Sequence, residues 1–77
     1  MKKVNVKLGS MNEVKDFNGI VSKYACDIDL VSGRYVVDAK SIMGIYSLDL
    51  TNPIEVQIHC DDCGDEVAEA IKAYVVD

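Results

Sequence analysis

Ser41 opens the run Ser41-Ile42-Met43-Gly44-Ile45-Tyr46, and a serine at the start of a short helix is a plausible acceptor of a phosphoryl group. A helix N-terminus presents unpaired N–H groups and about half a positive charge, so an anion attached there is tolerated. Phosphorylation would add about −1.5 to −2 charges. Ile42, Met43 and Tyr46 fall at i, i+1 and i+4 on one face, with Ile45 and Leu48 on the other. In a small domain one such face reaches the core, and the second suits a protein partner. An anionic rim beside an apolar patch is a feature that an arginine-bearing partner distinguishes. The plainer reading is a poorly patterned core helix that Ser41 merely caps.

Two other stretches carry reactive side chains. Ser10-Met11-Asn12-Glu13 has the capping-box form, in which the serine oxygen takes the backbone N–H three residues on and the glutamate reaches back. His59-Cys60-Asp61-Asp62-Cys63 contains the only histidine and two of the three cysteines. Together they offer three soft ligands, whereas a structural zinc site usually needs four. The Asp-Asp pair between the cysteines would raise thiol pKa values, which argues against a thioredoxin-like redox centre.

The elements that position these residues follow from periodicity. Val4, Val6 and Leu8 alternate with polar neighbours, which predicts a strand over Lys3–Leu8. Met11, Val14, Phe17, Val21 and Tyr24 recur at helical steps and predict a helix from Met11 to about Lys23, with Asn18-Gly19 as its weak point. Cys26, Ile28 and Leu30 alternate as a second strand. Ser32-Gly33 is a two-residue turn that returns the chain through Arg34–Asp38 as a third. Ser41 starts a short helix that fades near Leu48-Asp49-Leu50. Pro53 holds Asn52 extended, and Ile54, Val56 and Ile58 form the fourth strand. A last helix presents Val67, Ala70, Ile71, Tyr74 and Val75, with Asp65 and Glu66 in its first turn, where negative charge is favoured.

The order is thus β-α-β-β-α-β-α, an α/β (α+β) two-layer open-faced sandwich with three helices on one face of a four-stranded, mainly antiparallel sheet. With 77 residues, 49% of them hydrophobic and 27% charged, the chain is expected to be one globular domain over 1–77. No apolar run approaches the roughly 20 residues that span a bilayer, so no membrane insertion and a cytoplasmic location are expected. A net charge of −5 argues against direct nucleic-acid binding. An odd number of cysteines with no sign of secretion makes reduced thiols the expectation.

Lys40-Ser41-Ile42-Met43-Gly44-Ile45-Tyr46-Ser47-Leu48 resembles the regulatory-serine segment of HPr, the small phosphocarrier of the bacterial sugar phosphotransferase system, in its low-GC Gram-positive form. Ser22-Lys23-Tyr24-Ala25-Cys26-Asp27-Ile28-Asp29-Leu30 is a second match at the family's spacing. The resemblance implies the same HPr-like fold, with strand four between strands one and two. It also implies that Ser41 is the target of the HPr kinase/phosphorylase. Ile42, Met43 and Tyr46 would then dock a catabolite-control repressor, with Tyr46 where the family often has methionine. The implied placement of strands two and four brings Cys26 close to Cys60, as a possible fourth metal ligand or a disulfide partner.

The phosphate-carrying loop departs from the family pattern. Ungapped counting from the two matched segments puts Ser10 at the position of the active-site histidine, Asn12 at that of the arginine and Glu13 at that of the following proline. No histidine or arginine occurs in residues 1–31. A serine ester lacks the transfer potential of a phosphohistidine. The chain therefore reads as a regulatory protein, neither an enzyme nor a phosphohistidine carrier, and needs no cofactor. It is similar to the catabolite-repression HPr paralogue, although that protein keeps the arginine. Alternatives are a divergent phosphocarrier using another residue and a metal or thiol module at His59, Cys60 and Cys63.

Overall fold

The computed structural model describes residues 1–60 and 64–76. Four strands, β1 (Lys2–Val6), β2 (Asp27–Ser32), β3 (Tyr35–Asp38) and β4 (Ile54–His59), form one sheet in the order β1-β4-β2-β3. Every neighbouring pair is antiparallel. Helices α1 (Met11–Val21), α2 (Ile42–Tyr46) and α3 (Gly64–Ala70), followed by a 3-10 turn at Lys72–Tyr74, complete the expected order. Strand four lies between strands one and two, as the resemblance implied.

Register follows from alternation. Val4 and Leu30 both face Val56 across their pairings, and Ile28 faces Ile58, so the apolar set of three strands lies on one side. A one-residue slip would turn all of them to solvent. Helix α1 covers this side with Val14, Phe17 and Val21, α2 adds Ile45 and α3 adds Val67, all with no exposed surface. Each such side chain stabilises the fold by about 1.5–3 kcal/mol relative to exposure. Phe17 meets the ring of Tyr74 edge-on, with centroids 6.3 Å apart. Burial there pushes the Tyr74 hydroxyl above its ordinary pKa.

Several boundaries differ from expectation for identifiable reasons. Strand β1 ends at Val6, not Leu8, because its last partner is Ile54, the first residue of β4. Beyond it, the chain bonds to the C-terminal segment: Val6 bridges Val75 and the Lys7 N–H donates to the Tyr74 carbonyl at 2.9 Å. Leu8 is buried all the same. Helix α1 stops at Val21, and tight turns from Lys23 to Ile20 and from Tyr24 to Val21 replace the expected final residues. Strands β2 and β3 each begin one residue later than expected, at Asp27 and Tyr35. In the last helix Ala70 is exposed, and Gly64, Val67, Ala68 and Ile71 face the core instead, at i, i+3, i+4 and i+7.

Candidate functional site

Both candidate serines cap helices. Ser10 sits in extended conformation and its Oγ accepts from the Glu13 N–H at 3.2 Å. The Glu13 carboxylate turns back and its Oε1 accepts from the Gly9 N–H at 2.8 Å. The capping box read from the sequence is therefore present, closed one residue further upstream than the standard form. A carboxylate thus lies beside the start of α1, bonded to the N–H of Gly9, the residue before the cap. Asn12, at the position expected for an arginine, is exposed. An apolar recess of about 460 Å³ beside this turn is lined by Leu8, Met11 and Leu50 among others.

Ser41 is exposed and its Oγ accepts from the Gly44 N–H at 3.3 Å. The approach to α2 is fixed on both sides. Asp38 accepts from the Lys40 N–H through its side chain (2.9 Å) and from the Ser41 N–H through its carbonyl (3.0 Å). The Lys40 ammonium spans to the Tyr24 carbonyl at 2.6 Å, and Asn18 Nδ2 donates to the Ala39 carbonyl at 3.2 Å. These two bonds tie both matched segments of the sequence and the middle of α1 to the start of α2. Sequence reasoning missed them; the only signal was the unusual placement of Asn18-Gly19 within a helix. No acidic side chain stands in the first turn of α2. A Cβ at Gly44 would lie 3.3 Å from Val37 Cβ, a tight contact.

The apolar face of α2 is only partly as expected. Met43 is 74% exposed, but Ile42 and Tyr46 are half-buried and pack against the core. The reason is angular. At about 100° per residue, Met43 lies about 160° from the buried Ile45, whereas Ile42 and Tyr46 lie between the two on one side, about 60° and 100° from Ile45. The Tyr46 hydroxyl is buried and has no hydrogen-bond partner among the described residues. Met43 thus presents the outward contact, and Ile42 and Tyr46 offer only their outer edges.

His59 ends β4 on the open face of the sheet, exposed, with its Nε2 3.0 Å from Asp29 Oδ2. Asp27 and Asp38 line the same shallow depression. Cys26 and Cys60 flank the paired residues Asp27 and His59, so the expected proximity of the two strand ends is present. Cys60 is disulfide-bonded, not a free thiol as expected. Cys63, together with Asp61 and Asp62, lies outside the described residues, which hold no group of three metal-ligating side chains.

Residues 11–77 match the family model described as "PTS HPr component phosphorylation site". The chain belongs to the HPr family. Solved structures of HPr proteins agree over nearly its whole length. An HPr-C-His from Thermoanaerobacter tengcongensis superposes with a TM-score of 0.82 at 26% identity, covering 95% of this chain and 89% of that one. A phosphocarrier protein HPr from Bacillus anthracis gives 0.74 at 29% identity, covering 97% and 94%. The histidine-containing phosphocarrier of a Mycoplasma gives 0.72 at 18% identity over 94% and 86%, a likeness of fold. Comparison with curated proteins found no match. The chain is thus an HPr-like phosphocarrier-type protein of the phosphotransferase system, a family that works through other proteins of that system and is not itself a catalyst. No described helix is long and apolar enough to cross a membrane.

Proposed function

We propose that this HPr-like protein, read as one domain over 1–77, is regulatory and carries no phosphohistidine. Ser41 is the residue modified by an ATP-dependent HPr kinase/phosphorylase. Met43, with the outer edges of Ile42 and Tyr46, is the contact for a catabolite-control repressor in the cytoplasm.

The observation that carries this reading is the state of the α1 N-terminus. A histidine-bound phosphate needs free backbone donors and a nearby cation. Here Ser10 stands at the place assigned to the histidine, and the Glu13 carboxylate already accepts from Gly9. Two anions at one helix end repel, so a phosphoryl group would have to displace that carboxylate. At α2 the first turn carries no acidic side chain, and the serine hydroxyl is exposed. Met43 stands out of the core within the same short helix.

The test is incubation with HPr kinase and ATP. Wild-type protein gains one phosphate and Ser41→Ala gains none. Equal incorporation in the mutant removes the proposed switch. Incubation with phosphoenolpyruvate, enzyme I and magnesium leaves the protein unlabelled; an acid-labile label on His59 would instead favour a divergent phosphocarrier.

A further inference from the structure

Strand β3 is the last strand of the sheet, and among the described residues it pairs only with β2. We infer that this edge is a self-complementary surface at which two copies of the chain pair antiparallel about a two-fold axis through Val36.

The backbone sets the register. Ser32 and Tyr35 close the two-residue turn at Gly33-Arg34, where Gly33 takes φ +60° at the position that a type II′ turn reserves for glycine. In such a hairpin the closing pair is hydrogen-bonded and alternate residues follow suit. Tyr35 and Val37 therefore direct their backbone groups to β2. Ala39, in the same phase, donates its N–H to Ile28. Val36 is out of phase and directs its N–H and C=O to the open edge. With two copies related through Val36, each Val36 N–H meets the other copy's Val36 carbonyl. Tyr35 then stands opposite Val37 of the second copy, and the turn residue Arg34 lies just beyond that pair, toward the second copy's Asp38.

Side chains agree with that register on both faces. Val36 is 62% exposed and lies beside half-buried Val31 on the open face, so the axis brings two such valine pairs together. Tyr35 is 71% exposed and would cover the half-buried Val37 on the helix side. Charge argues for a second copy over any other occupant. Asp38 is directly opposite Asp29 in the β2–β3 pairing, an unfavourable like-charge pair. Arg34, the only arginine of the chain, is exposed in the turn that leads into the other end of the strand. The two-fold axis places each arginine over the other copy's carboxylate pair.

The strand has only 4 residues, so the interface falls short of the roughly 1,000 Å² of a stable complex. Association is weak, with a dissociation constant in the range of about 0.1–1 mM.

The experiment is a concentration series of amide spectra with sedimentation equilibrium on the intact chain. Wild type shows concentration-dependent shifts centred on residues 34–38 and a dimer at the highest concentrations. Arg34→Asp and Asp38→Arg each weaken self-association about tenfold, since both charge pairs become repulsive. An equimolar mixture of the two variants regains it, because both crossed pairs are again Asp with Arg. Asp38 also holds the turn into α2, so Val36→Lys, an exposed position, is the control that keeps the fold and loses pairing. Wild-type shifts that do not change up to millimolar concentration would overturn the inference. So would a dimer that survives unchanged in Arg34→Asp and Val36→Lys.

Discussion

Helices α1 and α2 begin in the same way and are finished differently. Each has a serine cap whose Oγ accepts from the N–H three residues on, Glu13 in one case and Gly44 in the other. The third position decides what the end can do. At α1 it is a glutamate whose carboxylate returns to the Gly9 N–H at 2.8 Å. At α2 it is a glycine, packed close to Val37, and it contributes no side chain. One helix end has a carboxylate folded back beside it. The other has no acidic side chain in its first turn. Two capping serines that look alike in sequence are thereby separated by the residue that follows each at a distance of three.

The largest effect expected is at Ser41. Ser41→Ala abolishes phosphorylation by ATP and HPr kinase while leaving the fold intact, with a loss of about 1 kcal/mol from the cap, as read by mass spectrometry and thermal unfolding. The two faces of α2 should separate next. Ile45→Ala removes a fully buried side chain and costs about 2–5 kcal/mol of stability. Met43→Ala costs almost none, because the residue is 74% exposed, but weakens binding of the phosphorylated protein to its repressor by about tenfold or more. Equal stability losses at the two positions would mean that Met43 belongs to the core.

At α1 the effect is smaller. Glu13→Gln lowers stability by about 0.5–1 kcal/mol, the scale of a capping interaction. Ser10→His alone restores no phosphotransfer from phosphoenolpyruvate, whereas Ser10→His with Asn12→Arg and Glu13→Ala, which supplies a cation and frees the Gly9 N–H, accepts a measurable amount. Tyr46→Phe should have the smallest consequence. Its buried hydroxyl has no partner among the described residues, so its removal leaves stability unchanged or raises it by up to about 1 kcal/mol.

The sheet and its core were legible because alternation fixes which side of each strand is buried. Ile54, Val56 and Ile58 rule out a one-residue slip against β1 and β2. Strand ends were less legible, since pairing stops where the partner stops, and nothing near Leu8 announces that β4 begins only at Ile54. Ala70 was assigned to the core because Val67, Ala70, Ile71 and Tyr74 fall at i, i+3, i+4 and i+7, but α3 ends at Ala70 and its buried Gly64 puts Ala68, four residues on, at the core instead. At the site, the capping serines and the capping glutamate could be read directly. The depth of Ile42 and Tyr46 could not, because both lie between the buried and the outward directions of α2 and a spacing rule sorts them with Met43. The bond from Lys40 to the Tyr24 carbonyl and that from Asn18 to Ala39 left no trace beyond the odd placement of Asn18-Gly19 within a helix. They join side chains to backbone far away in the chain, and backbone acceptors carry no sequence signature.

The contrast between the two helix ends is tested most directly by phosphorus-31 spectra of the wild-type protein taken after two incubations. One uses phosphoenolpyruvate with enzyme I and magnesium, the other ATP with HPr kinase. The account predicts no protein-bound signal in the first and one phosphoserine signal, absent in Ser41→Ala, in the second. A phosphohistidine resonance from the first incubation, or a phosphoserine that maps to Ser10, would contradict it.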